Sequence, residues 1–114
     1  MSGGNQNKAS GNQSTASGGA GNEAEGSYAS VSGGQNNLAS GAYSSVSGGD
    51  SNTGEGDYGS VGGGFSNRAE GARSAVSGGS ENIAIGSKSS VSGGSLRFAV
   101  STFDWRAGLL FEDQ

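Results

Sequence analysis

Tyrosine and basic side chains recur at a fixed interval in the middle of the chain. Fifteen residues separate each of Tyr28, Tyr43, Tyr58, Arg73 and Lys88 from the next. If a fold stacks these positions about 4.7–4.9 Å apart, Tyr58 and Arg73 are placed for a cation–π contact. The five side chains then form either a strip that binds sugar rings or a protein ligand, or a ladder that stabilises the surface.

Other residues of catalytic or metal-binding type are few. The chain has no His and no Cys, which excludes imidazole and thiol catalysis and the usual zinc sites. The paired carboxylates Glu23/Glu25 and Glu55/Asp57 lack a surrounding apolar pocket, so we interpret them as solvated surface. Residues 54–59 match G-x-G-x-x-G without a strand-to-helix context, and no Asp recurs in every repeat as a Ca²⁺-binding β-roll requires. We therefore expect no enzymatic activity, no metal and no cofactor.

Composition narrows the possible partners. The 114 residues include 25 Gly and no Pro, and hydrophobic residues, Gly not counted, make up 30%. Six basic against ten acidic residues give a net charge of −4, so we expect no nucleic-acid partner and no anionic membrane partner. No apolar run approaches the roughly 18 residues of a spanning helix, so we expect no membrane insertion by this chain. Such a composition is typical of disorder unless the order of the residues specifies a fold.

The order of the residues is a repeat without insertions. The consensus S-G-G-x-x-N-x-A-x-G-x-x-S-S-V occurs in six copies over residues 2–91. Two of its columns are Asn7, Asn22, Asn37, Asn52, Asn67 and Asn82, and Val31, Val46, Val61, Val76 and Val91.

A period of fifteen predicts an all-β fold, a parallel β-solenoid with two or three short strands in each coil. We expect the glycine columns to supply corners with positive φ. The Asn column is expected to form an amide ladder, each side chain bonding its neighbours above and below. Alternation places the Val column and the Ala column inside, with serines such as Ser30 and Ser32 outside. Residues 1–94 form this domain, six repeats plus the start of a seventh.

Residues 95–114 depart from the consensus. They hold a concentration of large apolar side chains, including Phe98, Phe103, Trp105, Leu109, Leu110 and Phe111. We predict an aromatic-rich cap that covers the last coil; a segment that docks another chain is the alternative.

The predicted core is poor in apolar side chains, because each coil contributes one Val and one Ala. Leu38, Ile83 and Ile85 are expected to point outward from their coils. Both features, with the apolar C-terminal residues, predict association of several chains, and we expect a parallel homotrimer.

The columns resemble the head repeats of trimeric autotransporter adhesins, the YadA-like heads. The matching stretches are SVSGG at residues 30–34 and NLASG at residues 37–41, with their equivalents in each repeat. The resemblance implies a left-handed parallel β-roll, three chains side by side, and display on a cell surface or an extracellular fibre. One strand position that is aliphatic in the family is Gly or Ser here, which puts collagen binding in doubt. No neck, stalk or membrane barrel of that family follows the repeats, so we expect a head-like module of a longer protein.

These observations favour a non-enzymatic surface module that mediates adhesion to host matrix, a glycan or another surface. Its expected partners are further copies of itself and an extracellular protein or glycan ligand. Two alternatives stay open. One is an ice-binding solenoid, because the coil size and the outward Ser-x-Ser rows suit it. The other is a purely structural segment of a phage or cell-surface fibre.

Overall fold

The computed structural model describes residues 4–103 and 105–107, and side chains for 4–103 and Trp105. Within these ranges the protein is all-β, a parallel β-solenoid in which each fifteen-residue repeat makes one coil. The predicted fold class is therefore confirmed. Handedness stays a prediction from the resemblance.

Each coil contributes two very short strands, one to each of two seven-stranded sheets. The strands of the described residues are β1 (Lys8–Ala9), β2 (Thr15–Ala16), β3 (Glu23–Ala24), β4 (Ser30–Val31), β5 (Leu38–Ala39), β6 (Ser45–Val46), β7 (Thr53–Gly54), β8 (Ser60–Val61), β9 (Arg68–Ala69), β10 (Ala75–Val76), β11 (Ile83–Ala84), β12 (Ser90–Gly93), β13 (Phe98–Ala99) and β14 (Trp105–Ala107). The alanine sheet contains the strands that mostly end in Ala, in the order β1-β3-β5-β7-β9-β11-β13, and the valine sheet contains those that mostly end in Val, in the order β14-β12-β10-β8-β6-β4-β2.

Neighbouring strands pair in parallel with the copy from the next coil. Val31 lies opposite Val46, and Leu38 lies opposite Thr53. A third line of single bridges starts at Asn5 and Ala20 and runs to Ser80 and Ser95. Because the pairing joins equivalent residues of successive coils, each position of the repeat forms a column along the rod.

The core consists of three columns of small side chains. The Val column is 0–1% exposed and the Ala column, from Ala24 to Ala99, is 0% exposed, which confirms both inward predictions. The third buried column was missed from the sequence, and its members are Ala29, Ser44, Gly59, Ser74 and Ser89. The Cα atoms extend 46 × 21 × 11 Å. The thin dimension is close to the roughly 10 Å spacing of packed sheets, so one layer of small side chains fills the interior.

The Asn column is buried and its side chains bond to the backbone. Asn37 Nδ2 donates to the carbonyl oxygens of Gly33 (2.9 Å) and Gly49 (3.0 Å), and its Oδ1 accepts from the Asn52 N–H (2.9 Å). The predicted ladder is confirmed in that each Asn Oδ1 bonds to the next Asn of the column, through its backbone N–H. The Nδ2 groups bond to glycine carbonyl oxygens instead of neighbouring side-chain amides, because the glycine corner presents two such oxygens to each of them. Each central Asn joins its own coil to the next one.

The three glycine columns differ in backbone conformation and in the space beside their Cα atoms. Only the middle column, with Gly34 at φ 88°, is left-handed throughout. In the column of Gly41, a Cβ would lie 2.3 Å from the carbonyl oxygen of Gly56 in the next coil. A Cβ on Gly33 would meet nothing within 4 Å. The expectation that all glycine columns supply positive φ is therefore wrong, since the column of Gly41 is needed for close stacking of the coils.

The described part of the segment 95–114 continues the coils instead of folding over them. Phe98–Ala99 pairs with Ile83–Ala84, and Trp105–Ala107 pairs with Ser90–Gly93, with a register irregularity between Val91 and Gly93. Ala99 takes the inward place, so alternation turns Phe98 outward. The expected cap residues Phe98, Phe103 and Trp105 are 47%, 71% and 59% exposed. Leu109, Leu110 and Phe111 lie outside the described residues.

The Asn column yields a pH-dependent prediction. Asn52→Asp keeps the side-chain volume but places a carboxylate where Nδ2 now lies 2.8 Å from Gly48 O and 3.0 Å from Gly64 O. Burial and the two carbonyl oxygens favour the protonated form, so the pKa of the introduced carboxyl is raised in the folded state. The folded state then binds more protons than the unfolded state, and the loss of stability grows as pH rises above about 4. We expect a loss of about 3 kcal/mol at pH 7 and a smaller loss at pH 4, measured by urea unfolding.

The exposed Asn36 provides the control for this variant. Asn36→Asp adds the same charge at a surface position and should leave the unfolding free energy nearly unchanged at both pH values. Equal losses for Asn52→Asp at pH 4 and pH 7 would contradict the arrangement of bonds described above.

Two glycines of neighbouring coils provide a second prediction. Gly56→Ala puts a Cβ 2.1 Å from the Gly71 carbonyl oxygen, so the two coils must separate and the melting temperature should fall by many degrees. Gly63→Ala meets no atom within 4 Å and should be neutral or stabilise by up to about 1 kcal/mol through the unfolded state. Thermal unfolding of the two variants decides the matter, and equal effects would show that close stacking is not the constraint.

Candidate functional site

One column lies at the turn between the alanine strand and the valine strand of each coil. This corner column consists of Gln13, Tyr28, Tyr43, Tyr58, Arg73, Lys88 and Phe103, all with φ between 56° and 64°. The structure places the five predicted residues in one line and adds Gln13 and Phe103. Phe103 could have been predicted from its spacing of fifteen residues from Lys88. It was assigned to the cap instead.

The corner residues adopt a backbone conformation that bulky side chains rarely take. Ser44 N–H donates to Gly41 O (3.1 Å), which places Tyr43 at the third position of a four-residue turn. The left-handed φ redirects the Tyr43 N–H to Ser27 O in the preceding coil (2.8 Å), whereas Ser45 N–H donates to Gly59 O in the following coil. Such a conformation costs of the order of 1–3 kcal/mol for a residue other than Gly, and outliers of this kind concentrate at functional sites.

The three tyrosine rings form a regular stack. Ring centroids of Tyr28 and Tyr43 lie 4.9 Å apart with an interplanar angle of 4°, and those of Tyr43 and Tyr58 lie 4.8 Å apart at 2°. The spacing equals the distance between coils. The side chains are 46–53% exposed, and both faces of Tyr43 lie against neighbouring rings. A ligand therefore meets the edges and hydroxyl groups of this stack rather than a free ring face.

Two cations continue the column beyond the tyrosines. Arg73 Cζ lies 5.7 Å from the centroid of the Tyr58 ring, which confirms the predicted cation–π contact, and Lys88 Nζ lies 5.1 Å from that of Phe103. A cavity of about 330 Å³ opens at this part of the corner; its lining residues are Asp57, Tyr58, Ala72, Arg73, Ser87 and Lys88. Aromatic, cationic and hydroxyl groups thus converge at one place on the surface.

Most of the paired carboxylates lie on the other side of the coil, on the outer face of the alanine sheet. Lys8 Nζ lies 3.2 Å from Glu23, and Arg68 contacts Glu55 (3.5 Å) and Glu70 (3.2 Å). These side chains form surface ion pairs, which agrees with their interpretation as solvated surface. Among the described residues no group of three His, Cys, Asp or Glu is placed to hold a metal ion. No helix in that part of the chain has the length and apolarity needed to cross a membrane.

The serine rows lie on the outer face of the valine sheet. Positions such as Ser30 and Ser45 are half-buried, and Ser32 and Ser47 are exposed. Gly62 and Ala75 interrupt the two rows.

Apolar side chains surround the last described coil. Leu96, Phe98, Val100, Phe103 and Trp105 are each 47–71% exposed. They lie on the alanine sheet, at the corners and on the valine sheet, where Trp105 Nε1 donates to Ser92 Oγ (2.8 Å). This end of the rod therefore differs from the polar coils before it.

The fold defines the class of the protein as a β-solenoid repeat protein with fifteen-residue coils. No protein-family model matches the chain, and no curated protein matches it. The resemblance to YadA-like heads therefore rests on the columns of the sequence.

Proposed function

We propose that the chain is a non-enzymatic binding module of a cell-surface or extracellular fibre, similar in role to a YadA-like adhesin head. Its contact strip is the corner column, and the ligand is a glycan or an extracellular protein. The single observation that carries the proposal is the row of three half-exposed tyrosines held at φ 59–60°.

A comparison within the chain supports this role for the tyrosines. The other column of left-handed residues outside the consensus glycines runs from Gln6 to Leu96, and its members in four successive coils, Gly21, Asn36, Ser51 and Ser66, are turn-forming residue types. The corner column makes the same kind of turn with Tyr28, Tyr43 and Tyr58 in three of those coils. A turn alone does not require Tyr, so the rings contribute something besides the bend.

Ring stacking offers a purely structural explanation. Each stacked pair contributes about 0.5–1.5 kcal/mol, which is comparable with the cost of the left-handed backbone. The net contribution of the stack to folding is then small, and its exposed edges and hydroxyl groups are available to a ligand. If the tyrosines only stabilise the fold, replacing them lowers the melting temperature; if they bind a ligand, replacing them lowers the binding affinity.

The test replaces all three tyrosines. Asn adopts left-handed φ at Asn36 in this protein, so the variant Tyr28→Asn, Tyr43→Asn, Tyr58→Asn should keep the fold and melt within a few degrees of the wild type. We expect its binding to matrix-protein films and printed glycan arrays to fall at least tenfold, about 1.4 kcal/mol. The variant Ser32→Asn, Ser47→Asn, Ser77→Asn changes three exposed positions of the valine sheet and should bind normally. Unchanged binding with a large fall in melting temperature would assign the tyrosines to stability alone.

We propose further that the module is a parallel homotrimer, with contacts at the apolar end of the rod. Several large exposed apolar side chains on one coil are unusual for a protein surface, and larger apolar patches mark interaction sites in soluble proteins. A threefold axis along the rod would bring Phe98, Val100 and Trp105 of three chains together at one end. The polar coils would then project from the assembly with their corner columns accessible.

Light scattering tests the assembly. We expect a mass three times the 11.0 kDa of one chain at micromolar concentration. The double variant Phe98→Ser, Trp105→Ser should shift the protein to monomer, because both side chains lose their apolar contacts. Phe65→Ser removes an equally exposed aromatic residue two coils away (49% exposed) and should leave the mass unchanged. A wild-type species of 11.0 kDa would contradict the trimer.

A further inference from the structure

We propose that Arg73 and Lys88 form a binding site for the anionic group of an acidic saccharide, a carboxylate or a sulfate. The proposal rests on the proposed function of the corner column as a ligand strip, and it names the ligand class. It assigns the recognition of charge to two adjacent coils.

The two cations are neighbours and, within residues 4–103, form no ion pair. They occupy equivalent positions of successive coils, which stack about 4.7–4.9 Å apart, and like charges directly opposite on neighbouring coils are destabilising. Among the described residues, no carboxylate lies within salt-bridge distance of Arg73 or Lys88, whereas Lys8 and Arg68 are each paired with Glu. A bound anion between Arg73 and Lys88 relieves this repulsion.

The carboxylate in the cavity lining, that of Asp57, forms no ion pair with Arg73 or Lys88. Asp57 lines the same cavity, but its Oδ1 accepts a hydrogen bond from the Ala42 N–H (3.1 Å) in the preceding coil. Arg73 lies on the opposite side, in the following coil, and contacts Asp57 through its backbone N–H, which donates to the Asp57 carbonyl oxygen (2.8 Å). The carboxylate is thus engaged away from the two cationic groups.

Aromatic rings hold the cations in position from both ends. Tyr58 contacts the guanidinium of Arg73, and Phe103 contacts the ammonium of Lys88. Neither ring accepts the hydrogen bonds that an oxyanion accepts, so the N–H donors stay available to the cavity. The planar fork of Arg matches two oxygens of a carboxylate or sulfate, and Lys adds a point charge beside it.

The lining of the cavity suits a saccharide. Its volume of about 330 Å³ is at the small end of ligand pockets. The hydroxyl groups of Tyr58 and Ser87 can bond to sugar hydroxyls, and the aliphatic Ala72 lies in the same lining.

Three polymers that share one sugar backbone distinguish binding to the charged group from binding to the sugar: dextran, carboxymethyl-dextran and dextran sulfate. We expect the full-length chain to bind at least one of the charged polymers in biolayer interferometry and to bind dextran at least tenfold more weakly. The carboxymethyl and sulfate arms identify which anion is preferred. Affinity should fall as the salt concentration rises from about 0.05 to 0.5 M, because salt screens exposed charges.

The decisive variant is Arg73→Gln, Lys88→Gln. Gln13 occupies the same column with φ 56°, so Gln suits the turn, and circular dichroism checks that the fold is kept. We expect the double variant to lose about tenfold in affinity for the charged polymer. Arg68→Gln removes one positive charge from the alanine sheet and should change affinity less than twofold.

Other outcomes overturn the proposal. Equal losses for Arg68→Gln and the double variant would mean non-specific attraction, and equal binding of poly-L-glutamate would remove the assignment to a saccharide. If the tyrosine variant loses adhesion while the double variant keeps it, the anion site is wrong and the proposed function stands. If the wild type binds no film, no glycan array and none of the polymers, the proposed function fails as well.

Discussion

Stacking of each coil on an identical backbone is the constraint on which the rest of the structure depends. Successive coils lie about 4.7–4.9 Å apart, and their N–H and C=O groups pair across that gap along three lines. Gly41 allows the coils to approach this closely because it has no Cβ, and any Cβ there would overlap the Gly56 carbonyl oxygen. The Asn37 side chain stabilises the same close stacking, because its amide group bonds to both coils at the corner. The strict period of fifteen follows, since an inserted residue would displace every column above it.

The thin core affects which interactions stabilise the folded protein. The inward columns are Val, Ala and a mixture of Ala, Ser and Gly, so little apolar area is buried in each coil. Backbone pairing and the buried Asn side chains therefore contribute a larger share of stability than in a globular domain. Ser44 and Ser74 have buried hydroxyl groups without a hydrogen-bond partner, whereas Ser89 Oγ donates to Gly86 O (2.6 Å). The third column tolerates either state because small size is its main requirement.

The repeat made the solenoid, the inward Val and Ala columns and the Tyr58–Arg73 contact predictable, because equal spacing along the chain becomes adjacency between coils. Other features depend on information that a period does not contain. Gly33, Gly34 and Gly41 look alike in sequence, yet only Gly34 has positive φ, and a Cβ would overlap the next coil at Gly34 and Gly41 but not at Gly33. Ser44 is inward by the same alternation that turns Val46 inward two residues later, but a serine does not identify itself as a core residue. Composition suggested a cap at Phe103, whereas register places it in the corner column.

Because each coil contacts only its neighbours, the number of coils is not determined by the fold. Duplication or loss of fifteen residues lengthens or shortens the rod by one coil spacing and leaves the other columns in register. Such a change extends every surface column at once, so the reach of the rod and the number of its repeated binding groups vary together. Tandem duplication within the gene would thus adjust multivalent attachment in unit steps, with no new fold to evolve.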